Sequence, residues 1–184
     1  MELSGSCRTM ARVLLVIWGV LFFAIPVEAE GLPTKVLVRA VSRDAKVLGT
    51  YVGGARITIR DLKHNKILAQ GLQQGGTGDT MQIMIRPRQR GDTVYGTQGT
   101  AGFLSTLTLE KPTVVEITAE GPLNSPQATQ RSSKTLLLVP GQDILGEGVL
   151  LEIHGFIVTL LSPERNKPVS SGRPLEVVAT VVMS

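Results

Sequence analysis

The chain has 184 residues, 19 Lys and Arg against 15 Asp and Glu, and a net charge of +4. That length carries one sizeable core, and the mild charge speaks of solubility more than of a polyanionic partner. Nucleic-acid binding would want a dense basic face with aromatics to stack bases, and beyond residue 29 the only aromatics are Tyr51, Tyr95, Phe103 and Phe156.

Residues 1–29 have the anatomy of a secretory signal peptide. Arg8 and Arg12 precede an apolar run from Val13 to Ile25, and Val27-Glu28-Ala29 closes it with small residues where a signal peptidase reads. The apolar run is shorter than the ~20 residues a membrane-spanning helix needs. Cleavage before Glu30 is therefore expected, with a periplasmic or extracellular destination and no stable membrane span afterwards. The one Cys, Cys7, lies in this segment. The exported chain would then have no disulfide, no thiolate metal site and no Cys nucleophile, and must rely on its apolar core.

Thr34–Val41 predicts a first strand, with Val36, Val38 and Ala40 on one face. Ser42–Lys46 is a polar turn and Val47–Val52 a short strand or bend. Gly53-Gly54 then opens the clearest pattern in the chain. Ala55, Ile57 and Ile59 alternate with Arg56, Thr58 and Arg60, which describes a strand with one buried and one wet face. Asp61–Lys66 turns the chain, and Ile67–Ala69 returns. Gly71–Thr80 is Gly-rich and reads as a loop. Met81, Ile83 and Ile85 alternate again, predicting a strand. Arg86–Thr100 is basic, then Gly-rich, without sustained period.

Ala101–Leu109 and Val115–Ala119 resume the alternation around Pro112. Gly121–Lys134 reads as a loop, and Thr135–Val139 and Val149–Ile153 as strands. No stretch after residue 29 keeps apolar residues at helical spacing for three turns. Short strands with turn signals every ~8–12 residues argue an all-β antiparallel sandwich after the N-terminal signal helix. The expected core is Val36, Val38, Ala55, Ile57, Ile59, Leu68, Ile83, Phe103, Leu107, Leu109, Val115 and Ile117.

Val36-x-Val38, Gly54-Ala55-x-Ile57-x-Ile59, Leu68-Ala69-x-Gly71 and Leu107-x-Leu109 occur in an order that resembles a carboxypeptidase regulatory-like domain. That family is a transthyretin-like sandwich of seven strands. The match runs from residue 34 to about 119, within an expected domain at 30–155. The longer loop at Gly75–Asp79 and the insert Arg86–Gln98 depart from the family pattern. The resemblance implies an extracytoplasmic binding or structural module without chemistry of its own. Phe156–Pro163 and Gly172–Val181 look like the opening two strands of a bacterial immunoglobulin-like repeat. Two strands cannot bury a core alone. Residues 156–184 are therefore expected to be completed by further sequence or by a partner, unless both strands add to the first domain.

Arg86, Arg88 and Arg90 form the densest positive cluster. On an extended strand they would share one side and could meet carboxylates, phosphates or an anionic glycan, or simply face solvent around an edge-protecting Pro87. Arg90-Gly91-Asp92 also spells an adhesion tripeptide, a match short enough to arise by chance. Gly75–Thr80 lacks the Lys and the following helix of a phosphate-binding loop. His64 and His154 are far apart in sequence, and Asp143 and Glu147 flank Gly146 in an expected turn, too few oxygens for calcium. No Gly-x-Ser-x-Gly elbow or recognisable His motif marks a hydrolase. The expectation is a non-enzymatic envelope protein with no cofactor or metal and with a structural or binding role. Its partner would be another envelope protein or an anionic glycan. The competing expectation is a carbohydrate- or peptide-binding module that uses loops 71–80 and 86–98.

Overall fold

The structure is a computed structural model, and it describes residues 30–183 apart from positions 44 and 45; the expected signal segment lies outside them. Seven strands form two sheets. β1 (Leu32–Ser42), β4 (Phe103–Leu109) and β7 (Ile144–Ile153) make one, in the order β4-β1-β7. β2 (Ala55–Asp61), β3 (Lys66–Gln73), β5 (Thr113–Gly121) and β6 (Gln130–Leu138) make the other, in the order β3-β2-β5-β6. All pairings are antiparallel except β1 with β7. The period-two pattern explains the layering. Val36, Val38, Leu107, Leu109, Leu151 and Ile153 from the first sheet meet Ala55, Ile57, Ile59, Val115, Ile117 and Leu138 from the second in one buried cluster. The molecule is an all-β sandwich.

The expected core is buried almost throughout. Leu68 and Phe103 are half-buried and pack against it from the side. Ile83 is buried outside the main cluster, and for a different reason from the one expected. Met81–Ile85 is a π-helical turn, not a strand. Asp79 Oδ1 accepts the Met81 and Gln82 N–H groups, and Arg86 N–H donates to the Met81 carbonyl five residues back. A capping carboxylate at the start of the segment thus overrides its short alternation. Arg86 leaves this turn in extended backbone, but residues 87–89 are irregular and Arg90 begins a turn, so the three arginines do not share a strand.

The Gly53-Gly54 pair turns the chain into β2 with φ of +86° and +61°. A Cβ at Gly54 would lie 2.2 Å from the Gln73 carbonyl oxygen, so both the dihedral and the close approach require glycine. The expected loop from Gly71 begins later, because β3 runs on to Gln73. The Gln73 side chain is buried: Ala40 N–H donates to its Oε1 at 2.6 Å, and its Nε2 donates to the Ala40 and Leu48 carbonyls at 3.0 and 2.9 Å. This amide ties backbone groups of the other sheet to the β1–β2 connection, adding to the Leu48 N–H that already donates to the Ala40 carbonyl.

β8 (Phe156–Ser162) and β9 (Val178–Met183) form a separate two-stranded sheet within the unit Gly31–Ser184. β9 starts three residues later than the expected Leu175–Val181, and all of it is exposed. Among the described residues no helix is long and apolar enough to cross a membrane.

Candidate functional site

Parallel pairing of β1 and β7 brings the ends of both strands to the same place. Val41 pairs with Glu152 and Ser42 with Ile153, and the Arg43 N–H extends the ladder to the Ile153 carbonyl at 2.7 Å. Glu152 and Arg43 both point outward there, with Arg43 Nε 3.4 Å from Glu152 Oε1. The pair is exposed, so it positions side chains more than it stabilises the fold.

The segment after the π-helical turn rises beside this pair and is held by one carboxylate. Glu147 on β7 accepts N–H groups from three consecutive residues: Val94 at 2.7 Å, Tyr95 at 2.8 Å and Gly96 at 3.1 Å. Gln82 Nε2 adds a bond to the Thr93 carbonyl at 2.6 Å. Behind Glu147 the buried Arg39 donates through Nη1 to the Gly146 and Glu147 carbonyls at 2.6 and 2.8 Å. Burial pushes the Arg39 guanidinium below its usual value, and the nearby negative charge of Glu147 opposes this. Replacing Glu147 with alanine should leave three N–H groups without their charged acceptor, at a cost of about 1.5–3 kcal/mol. Amide exchange at Val94–Gly96 should rise sharply while β2 and β5 stay protected. Unchanged exchange at those three positions would show that the latch is not what holds the loop.

The latched loop places Tyr95 and Arg88 in the lining of the same cavity as Arg43 and Glu152. Arg88 Nη2 donates to the Ile83 carbonyl at 3.2 Å and to Tyr95 Oη at 3.3 Å, and its guanidinium lies 5.6 Å from the Tyr95 ring centroid. Between these parts is an open cavity of about 510 Å³, lined by Ser42, Arg43, Ile83, Arg88, Tyr95 and Glu152 among others. A second hollow of about 250 Å³ shares Arg43 and Glu152 and is bounded by Gln130, Arg131, Ser132 and His154. The two hollows have the Arg43–Glu152 ion pair as common lining, and we treat them together as a polar groove beside the ends of β1 and β7.

Of the arginines singled out in the sequence, the structure brings only Arg88 into this groove. Arg86 and Arg90 are exposed and line neither hollow. Arg43, Arg131 and Glu152 were not expected there, because only the parallel register of β1 and β7 and the neighbouring β6 assemble them. His154 borders the second hollow, and its backbone N–H donates to Gln130 Oε1 at 3.3 Å. The carboxylates weighed for calcium serve the backbone: Asp143 Oδ1 accepts the Lys35 N–H at 2.7 Å, and Glu147 is the latch. Asp92 of the adhesion-like tripeptide accepts the Gln89 N–H at 2.7 Å. Among the described residues, no three His, Cys, Asp or Glu side chains come together as a metal site would need.

His64 lies elsewhere, on the β2–β3 turn. Asp61 Oδ1 accepts the Lys63 and His64 N–H groups, and its Oδ2 meets His64 Nδ1. The His64 side-chain bond, helped by the turn N–H groups and opposed by desolvation, holds the Asp61 carboxyl below the usual carboxylate range. A depressed folded pKa stabilises the fold at pH values above the unfolded value of ~3.9, and the contribution fades as pH falls through the lower folded value. Carbon-detected titration should therefore find Asp61 ionised to lower pH than an ordinary Asp, and His64→Ala should move its midpoint upward. A midpoint indifferent to His64→Ala would contradict the assignment.

Compared with family models, with curated proteins and with solved structures, the chain matches none of them.

Proposed function

We propose that the protein is an exported, non-enzymatic β-sandwich with a structural or binding role in the cell envelope. The observation that carries the binding part is the groove at the end of β1 and β7. Its wall is a long loop pinned by three hydrogen bonds to a single carboxylate, and its arginines are anchored on one side and open on the other. Loops held open in this way are where rigid scaffolds carry recognition. The resemblance to carboxypeptidase regulatory-like domains belongs to the same proposal, and seven strands in sheets of three and four support it. Loop 86–98 favours the binding-module reading over a purely structural one, since it forms the groove wall. Loop 71–80 contributes less, because Gly75 and Gly76 are tied to Thr50, Gly99 and Ala101 by backbone bonds.

Fractionation of cells producing the tagged full-length chain tests the proposal. The mature protein should begin at Glu30 and cosediment with isolated envelope material. A chain that keeps residues 1–29, or that washes free of the envelope, would overturn it. Turnover on a broad ester and glycoside panel would overturn the non-enzymatic part.

A further inference from the structure

We propose that the groove holds the carboxylate groups of an acidic polysaccharide, with Arg88 and Arg43 as the contacts; this rests on the envelope-binding reading above. Three observations carry it. First, both guanidiniums are presented to the same cavity by protein partners that occupy only part of each fork. Arg88 uses Nη2 for Ile83 and Tyr95, and Arg43 uses Nε for Glu152. The remaining N–H groups match the planar, two-oxygen geometry of a carboxylate.

Second, the charge balance suits singly charged groups. The two hollows are lined by Arg43, Arg88 and Arg131 against Glu152. Arg131 Nη2 also lies 4.0 Å from Glu116, outside the groove. That leaves a modest positive excess, enough for carboxylates spaced along a chain and small for a multiply charged phosphate cluster. Third, the neutral lining is rich in groups that pair with hydroxyls. Ser42 and the Tyr95 hydroxyl face one hollow, and Gln130 and Ser132 the other. The larger hollow falls within the ~300–1,000 Å³ of small-ligand sites, but its polar walls fit a polyhydroxylated ligand better than an apolar one. The second hollow shares Arg43 and Glu152 with the first, so a ligand long enough to reach both would contact that pair between them.

The test is titration of the mature chain with polygalacturonate, with neutral dextran and polyglutamate alongside, at low and at moderate salt. Polygalacturonate should bind and dextran should not. Arg88→Ala and Arg43→Ala should each weaken binding at least 10-fold. Arg88→Lys should recover little, because it restores charge without the fork. Arg86→Ala, which removes an exposed neighbouring charge outside the groove, should leave affinity within about 2-fold. Equal losses from Arg86→Ala and Arg88→Ala would mean diffuse charge attraction and would overturn the site. Tighter binding of polyglutamate than of polygalacturonate would overturn the saccharide assignment in favour of an acidic peptide. Envelope cosedimentation is read on the same variants. If the parent chain cosediments with the envelope but does not bind polygalacturonate, this inference falls and the broader function stands. If cosedimentation is absent in the parent chain, the broader reading has failed.

Discussion

Ile57→Ala should lower the unfolding free energy by about 2–5 kcal/mol, the range for removing a large aliphatic side chain from a packed core. Ile57 has no solvent exposure and is central in β2. That strand is hydrogen-bonded on both sides, facing Gly71 of β3 and Ala119 of β5 at this position. Neighbours bonded on both edges cannot slide inward to fill the void, so relaxation is small and the cost lies away from the low end. Opposite it stand side chains of β1 and β7 that belong to the first sheet. The loss is therefore felt across the sandwich and not in one hairpin. Against the 5–15 kcal/mol typical of a domain, it removes a large fraction of stability. Urea unfolding of the mature chain and the variant checks it. A midpoint shift worth less than about 1 kcal/mol would mean that the β2–β3 hairpin does not centre the core.

The β2 pattern is also where the sequence speaks most plainly. Alternation at Ala55, Ile57 and Ile59, at Val115, Ile117 and Ala119, and at Leu107 and Leu109 places each side chain on the buried face that it occupies. Two-residue periodicity is a local property of strands, so a local reading recovers it. The same reading fails at Met81–Ile85, where three apolar residues alternate but Asp79 nucleates a turn of helix. It fails at Arg86–Arg90 as well, because alternation in sequence gives a common face only if the backbone stays extended. Gln73 looked like the polar start of a loop, yet its buried amide makes three hydrogen bonds to the backbone. Nothing local announces that, since its partners Ala40 and Leu48 lie on other segments. The groove was legible only in Arg88. Arg43 and Glu152 come from opposite ends of the domain, and their meeting depends on a parallel pairing that no adjacent turn specifies.

The β8–β9 hairpin should make the mature chain self-associate, and Val158→Lys with Val181→Glu should abolish this. Phe156, Val158 and Leu160 share a face with their cross-strand partners Met183, Val181 and Ala179. The five large side chains among them are 46–60% exposed. The opposite face begins differently: Ile157 is buried in the main core, and Gln127 Nε2 reaches Thr159 Oγ1 at 3.4 Å. The hairpin is thus seated on the sandwich at Ile157 and leaves apolar side chains of both strands open, with a β9 edge that pairs with no other strand among the described residues. Burying a Val, Leu, Phe or Met side chain fully is worth about 1.5–3 kcal/mol, so five half-exposed ones offer on the order of 4–8 kcal/mol per protomer. A symmetric pair doubles that, against an association cost of about 4–15 kcal/mol. The two ranges overlap, so the expected association is weak and concentration-dependent. Deleting the hairpin at residue 155 is a poor test, because it strips Ile157 from the core. Opposite charges at the facing positions 158 and 181 instead make a cross-strand ion pair on the open face and leave Ile157 in place. Sedimentation of the parent chain should show a mass that grows with concentration, and the double variant should remain monomeric with the same thermal midpoint. A parent chain that stays monomeric at the highest soluble concentration would show that this face does not drive association.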